Sequence, residues 1–238
     1  MKRISIALVG DFSENIHTHL ALNNAVEHCR KHLDFLVETK WISTTSLSST
    51  GLDQNKFQGC WIVPGSPYND DEAVLDTIRW ARENNFPILG SCGGFQYMIL
   101  EYARNVLQNP NAFHQETHPP IFIGATVPVI SKLSCSLKGR QEEVLVAKGS
   151  WLYKVLRSEK ITGHFYCSYG FNDAYRDEFK EPFSFTANSI EGEVRACELK
   201  THRFFNGTLF QPALDSSFDT PNPLLLDFFR VTAMNNDQ

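Results

Sequence analysis

Cys92 lies in the run Pro87-Ile88-Leu89-Gly90-Ser91-Cys92-Gly93-Gly94-Phe95-Gln96, where a short apolar strand meets three glycines and then a helical stretch. A strand that turns sharply into a helix through glycines presents a nucleophilic side chain, because the strained turn leaves no room for neighbouring Cβ atoms. The helix that follows points its N-terminus at the sulfur and favours thiolate over thiol. The Gly93 amide can donate to an oxyanion developing beside that sulfur. The turn Pro64-Gly65-Ser66, which ends another apolar strand, is the candidate for a second donor. The competing reading is a small buried cysteine with no chemistry, and the short Gly-x-Cys-x-Gly pattern alone does not choose between them.

Strand-like and helix-like patterns alternate in the first half, as βαβ units of a parallel sheet covered on both faces require. Strands are expected over residues 4–9, 35–42 and 59–65, and helices over 15–33, 70–85 and 96–107. In the first helix Leu20, Ala21, Ala25 and Val26 form the expected apolar stripe; in the second it is Val74, Leu75, Ile78 and Ala81, after an acidic start at Asp70-Asp71-Glu72. Further on, residues 108–120 read as a surface loop. Strands are expected over 121–130, 142–147, 162–171, 184–189, 194–199 and 206–210, with Lys138-Gly139-Arg140 turning between antiparallel strands and a closing helix over Pro223–Ala233. With no internal repeat or low-complexity linker, the expectation is one domain over residues 1–238: α/β, an open mostly parallel sheet with helices on both faces plus antiparallel strands.

Composition narrows the function. The 238 residues are 42% hydrophobic and 21% charged, ordinary for a globular chain with a substantial core. A formal charge of −5 without a dense Lys/Arg block disfavours nucleic acid as the partner. A small molecule or another protein fits better. Asp11 and Glu14 follow the first apolar run at once, so it reads as a strand and not a signal peptide, and no stretch is long enough to span a bilayer. Cysteines at 29, 60, 92, 135, 167 and 197 form no C-x-x-C pair, which argues against a zinc site or a redox dithiol and suits a reducing cytoplasm. Neither a metal nor another cofactor is expected.

Several segments resemble the class I glutamine amidotransferase domain of the CTP synthase family: Ile6-Ala7-Leu8-Val9-Gly10, Ile62-Val63-Pro64-Gly65, Ala81-Arg82-Glu83-Asn84-Asn85 and Glu101-Tyr102-Ala103-Arg104-Asn105-Val106-Leu107. Towards the C-terminus Glu198-Leu199, His202-Arg203-Phe204-Phe205 and Pro221-Asn222-Pro223-Leu224 follow in the same order. The resemblance implies a flavodoxin-like fold and a cysteine that attacks the side-chain amide of glutamine, giving a glutamyl thioester and ammonia. By that resemblance Cys92 is the nucleophile, Gly65 and Gly93 supply the oxyanion amides, and Gln96, Glu116 and Tyr169 hold a glutamine-like substrate, with Asn172 completing a Tyr-x-x-Asn. Glu116 also suits an α-ammonium group on chemical grounds. Because the resemblance starts at the first strand, the synthetase domain that precedes it in the family is expected to be absent. The candidate partners are then further copies in a homo-oligomer or a separate synthetase subunit.

The resemblance fails where the base belongs. The family's Phe-His-Pro-Glu segment aligns with Phe210-Gln211-Pro212-Ala213. Gln211 cannot shuttle a proton near neutral pH, and Ala213 cannot orient anything. The stretch Gly163-His164-Phe165-Tyr166-Cys167-Ser168 also departs from an arginine-rich family segment. Three readings follow. Cys92 acts on glutamine or a γ-glutamyl-like compound with a non-standard base, for which His164 is the first candidate, ahead of His114 and His202. Alternatively Cys92 is a low-pKa thiol that forms adducts or senses oxidants, or the domain is catalytically silent and binds a metabolite or protein. Keeping Cys92, its glycines, Gln96 and Glu116 favours the first.

Overall fold

A computed structural model describes residues 2–117 and 127–234. The first half runs β1 (Arg3–Val9), α1 (His17–Arg30), β2 (Leu36–Ile42), α2 (Thr44–Thr50), β3 (Gly59–Ile62), α3 (Asp71–Glu83), β4 (Ile88–Ser91) and α4 (Gly93–Asn105). The second runs β5 (Ile130–Lys132), β6 (Arg140–Val146), α5 (Trp151–Leu156), β7 (Lys160–Phe165), β8 (Tyr169–Phe171), β9 (Phe183–Ser189), β10 (Val194–Leu199), β11 (Phe205–Thr208) and α6 (Pro223–Ala233). Among these residues one sheet has nine strands in the order β2-β1-β3-β4-β11-β10-β9-β6-β7. Strands β2 to β11 in that order run parallel, and each step beyond β11 is antiparallel.

The parallel strands are apolar because both faces are covered. Ile4, Ile6 and Leu8 of β1 join Trp61, Val63 and Leu89 in one cluster, closed by Leu22, Ala25 and Val26 of α1 and Leu225, Phe228 and Phe229 of α6. The alternate positions Ala7, Val9, Cys60, Ile62 and Ile88 face the other way, onto Val74, Leu75 and Ile78 of α3 and Phe95, Met98 and Ile99 of α4. Pleat alternation thus divides the sequence between two cores.

Several expectations change. Leu20 is exposed, and α1 instead buries Thr18, His19, Leu22, Ala25, Val26 and Cys29; its apolar stripe includes a histidine and a threonine that no hydrophobic pattern marks. Of the expected loop over 108–120, the described residues 108–117 do form a loop with Gln108, Pro110, Asn111, Gln115 and Glu116 exposed. Within it Ala112, Phe113 and His114 turn inward and are buried, the Phe113 carbonyl accepting from Val129 at 3.1 Å; 118–120 lie outside the described residues. The expected strand over 121–130 falls largely on residues outside those described. Its end, Ile130, enters β5, which pairs with β8 in a second, two-stranded sheet. The expected strand over 162–171 splits into β7 and β8, because the carbonyls of Cys167 and Ser168 accept from Leu137 and Leu133 at 2.9 Å in place of a sheet partner. Residues 138–140 do turn, with Gly139 at φ +70°, but β5 and β6 belong to different sheets and form no hairpin. Two short helices were unexpected: α2 is a run of Ser and Thr around one Leu, and α5 begins at a Ser150 cap whose side chain accepts from the Tyr153 amide.

Helices α3 and α4 are tied by Arg82, whose Nε lies 2.9 Å and Nη2 2.8 Å from the carboxylate of the fully buried Glu101. Nearby, Asn85 Oδ1 accepts from the Arg203 amide at 2.8 Å, and the Ala81 carbonyl accepts from His202 Nε2 at 3.1 Å. The resembling segments therefore meet in space, before the start of β4 and at the end away from Cys92. Neutralising one partner of such a pair leaves a poorly solvated charge. Glu101→Gln is expected to cost about 3 kcal/mol of stability, read as a lower urea midpoint with an unchanged slope.

Candidate active site

β4 ends at Ser91, and Cys92 follows with φ 54° and ψ −109°, a left-handed backbone that a side chain adopts only under constraint. The constraint comes from both neighbours. The Cys92 amide donates to the Thr208 carbonyl of β11 at 2.9 Å, and its own carbonyl accepts from Gln96 in the first turn of α4. A Cβ on Gly94 would run into the Ile62 carbonyl of β3, and one on Gly93 would lie 2.8 Å from Ser66. Glycines here allow α4 to start directly against the sheet.

The sulfur opens into a cavity of about 220 Å3 beyond the carboxyl ends of the parallel strands, where ligands bind in open α/β sheets. Pro64, Gly65 and Ser66 follow β3; Gln96 comes from α4; Gln211 follows β11; Tyr166 to Tyr169 bridge β7 and β8. Among the described residues, Glu116 and Lys138 are the charged ones on its wall. Cys92, Gly65, Gln96, Glu116, Tyr169 and Gln211 are thus brought together. His164, His114, His202, Asn172 and Ala213 do not line the cavity.

Each of those five has another place. His164 Nδ1 pairs with Asp215, and its carbonyl accepts from the Gln211 amide at 2.8 Å. His114 is fully buried: Nδ1 accepts from the Glu116 amide at 3.1 Å, so Nε2 carries the hydrogen and donates to Gln96 Oε1 at 3.0 Å. His202 sits at the far end of β4, and burial lowers its pKa. Asn172 caps a 3-10 turn by accepting from the Ala174 amide at 3.1 Å. Ala213 packs in the cluster under α1 and α6.

Gln96 is engaged on both ends of its amide, with Nε2 donating to the Tyr169 carbonyl at 2.7 Å and Oε1 accepting from His114 and, at 3.4 Å, from Ser66 Oγ. It therefore joins α4, the Gly65 turn and β8. His19, which hydrophobic patterning overlooked, supports the same turn. Its Nδ1 accepts from the Ser13 amide, its Nε2 donates to the Pro64 carbonyl at 2.8 Å, and burial lowers its pKa and keeps it neutral. Gly65 follows at φ +125°, where a Cβ would lie only 3.0 Å from His19 Nε2.

The Cys92 thiol faces the Tyr166 carbonyl, to which it donates at 3.8 Å, and hydrogen-bond donors on its other sides. The Cys167 thiol, then the Gly93 amide and the Gln211 side chain, pull its pKa below the ordinary thiol value against the opposing effect of burial. Cys167 is pushed well above its ordinary value, first by the Cys92 thiolate and then by burial. Of the two, Cys92 is the more readily ionised. Burial raises the pKa of Glu116, with Lys138 opposing. The only signal for Cys167 in the sequence was its place three residues after His164. The wall as a whole offers a thiolate, nearby backbone amides and two opposite charges, a combination suited to a zwitterion carrying an electrophilic carbon.

Residues 16–205 match the glutamine amidotransferase class-I family, and the chain belongs to that family. Its relatives include the CTP synthases of Nautilia profundicola, 32% identical over 248 residues and 95% of this chain, and of Sulfolobus acidocaldarius, 30% identical over 245 residues and 98% of the chain. The chain spans about half the length of these curated relatives, 46% of each. The glutaminase domain of CTPS from Trypanosoma brucei, solved with bound acivicin, superposes with a TM-score of 0.84 at 22% identity, covering 99% of this chain and 96% of that one. A glutamine amidotransferase from Thermotoga maritima gives 0.59 at 10% identity, covering 96% of each chain. The fold is the flavodoxin-like one expected for class I amidotransferases.

The thiol environment has a direct readout. Iodoacetamide labelling of Cys92, followed by mass spectrometry, is expected to rise with pH and level off at lower pH than in the unfolded chain, because the folded group titrates below its ordinary value. Cys167→Ala is expected to move that profile to higher pH. Coincident folded and unfolded profiles would contradict the readier ionisation of Cys92.

Proposed function

We propose that this chain is a CTP-synthase-like amidotransferase site that binds glutamine or a γ-glutamyl-like amide and cleaves it through Cys92 without a histidine base. The observation that carries the reading is Cys92 at its strained left-handed turn, opening on a cavity whose wall holds Glu116 and Lys138, with its thiol pulled below the ordinary value. Glu116 suits an α-ammonium group and Lys138 an α-carboxylate, so the amide end of such a ligand extends towards the sulfur. The Cys92 thiolate attacks the amide carbon, and the amides of Gly65 and Gly93 receive the oxyanion.

The departing nitrogen needs a proton. Cys167 is the donor we favour over His164, since it lies against the Cys92 sulfur while His164 is held by Asp215 away from the cavity wall. Once Cys92 is bonded to carbon its negative charge is gone, and with it the main cause of the raised Cys167 pKa. Ammonia then leaves with the Cys167 proton. Cys167 recovers that proton from the water that hydrolyses the thioester, releasing glutamate and restoring the thiolate. Since the relatives are CTP synthases, a separate synthetase subunit is the natural receiver of the ammonia.

Among the described residues no histidine lines the cavity, which favours a second reading, in which the site binds the amide without turning it over. One assay separates the two. Wild type is expected to release ammonia and glutamate in equal amounts, with Cys92→Ala reduced to background; equal rates for the two proteins across glutamine and γ-glutamyl compounds, with binding retained, would leave the binding module. Gln211→His, which places a titratable ring beside the sulfur, is expected to raise the rate on the order of 10²-fold, the usual contribution of a positioned base. A rate no higher than wild type in a folded variant would count against position 211 as the site of the missing base.

A further inference from the structure

The geometry points to Cys92 and Cys167 as a thiol pair that closes to an intramolecular disulfide when a hydroperoxide enters the cavity. Both line the same cavity, and Cys167 is the first influence that lowers the Cys92 pKa. The residue before Cys167 reaches the sulfur directly, with the Tyr166 carbonyl accepting from Cys92 Sγ at 3.8 Å. The sequence hides this pair, since one thiol ends β4 and the other sits between β7 and β8. Segment 166–168 belongs to neither sheet, so a sulfur–sulfur bond there interrupts no strand ladder.

The other thiols are not equivalent. Cys29, Cys60 and Cys197 are buried in the sheet cores, where burial pushes Cys29 up to about 12 and the other two up as well. Cys135 is exposed and outside the cavity wall. Reactivity and a partner thus coincide at Cys92.

The chemistry balances with the peroxide as the oxidant. The Cys92 thiolate attacks one peroxide oxygen, the O–O bond breaks, and the leaving oxygen departs as hydroxide or alkoxide and takes a proton from water. The Cys167 sulfur then attacks the Cys92 sulfenic sulfur, the S–O bond breaks, and the departing hydroxide combines with the Cys167 proton as water. The thiol pair loses two electrons and the peroxide gains them. The bond removes the nucleophile while keeping it from irreversible oxidation, and an external thiol reverses it.

This inference rests on the reading of Cys92 as a reactive thiolate and needs no amide chemistry, so it is tested without glutamine. Reduced full-length protein is treated with increasing hydrogen peroxide, its remaining thiols are blocked with N-ethylmaleimide, and non-reduced peptides are mapped by mass spectrometry. The expected product is a linked Cys92–Cys167 peptide, lower in mass by two hydrogens, formed before Cys135 is oxidised and lost on dithiothreitol treatment. In Cys167→Ser, Cys92 is expected to stop at a sulfenic acid that dimedone traps and then to pass to a sulfinic acid that dithiothreitol does not restore. Cys92 oxidised beside a free Cys167 in wild type would overturn the inference, as would Cys92 linked only to Cys135 or less reactive than Cys135. The wild-type map decides even if the variant fails to fold. Ammonia release with no linked peptide would retain the proposed function and reject the switch; the reverse result would do the opposite.

Discussion

The site depends on one close approach, the Gly94 backbone against the Ile62 carbonyl of β3. Any side chain there would lift α4 off the sheet. Without that contact Cys92 would have no reason to hold a left-handed backbone, its sulfur would not meet the Gly93 amide, and Gln96 would not reach both His114 and the Tyr169 carbonyl. Residues Gly93 to Ala103 of α4 are all buried, so the helix is fixed along its length and carries that placement to the rest of the wall.

What the sequence discloses follows from which interactions are local. The βαβ half is readable because pleat and helix periods are written into β1, β3, α3 and α6 residue by residue, and α6 begins and ends where its pattern does. The second half is harder to read. The break between β7 and β8 is made by carbonyls that bond to residues 133 and 137, partners a local pattern cannot name. The position of Leu20 fails for a related reason: α1 turns polar His19 inward to serve the Pro64 carbonyl, so the buried face is not the most apolar one.

For the site, the Cys92 turn and Gly65 are legible in the residues themselves, while the family resemblance points to Gln96, Glu116 and Tyr169 and flags the exchange at Gln211; all six positions line one cavity. The sequence puts His164 first as the candidate base because its strand is expected to border the pocket. The fold instead commits that ring to Asp215 and brings up Cys167, whose proximity to Cys92 exists only once two sheets have formed. Lys138 looked like a turn residue and is one, yet the same turn sets its charge across from Glu116.

The two ends of β4 carry different burdens. Before it lie Arg82, Glu101, Asn85 and Arg203, whose charges and amides are spent on holding helices and strands together. After it, position 211 contributes to the scaffold through its backbone amide, bonded to the His164 carbonyl, an arrangement open to any residue but proline. That backbone bond does not fix which side chain stands at 211, although the buried side chain must still fit beside the Cys92 sulfur. A lineage can exchange the reactive partner of Cys92 there while the architecture and its resemblance to relatives persist, so likeness along the chain tracks how the molecule stands up more closely than what its thiol does.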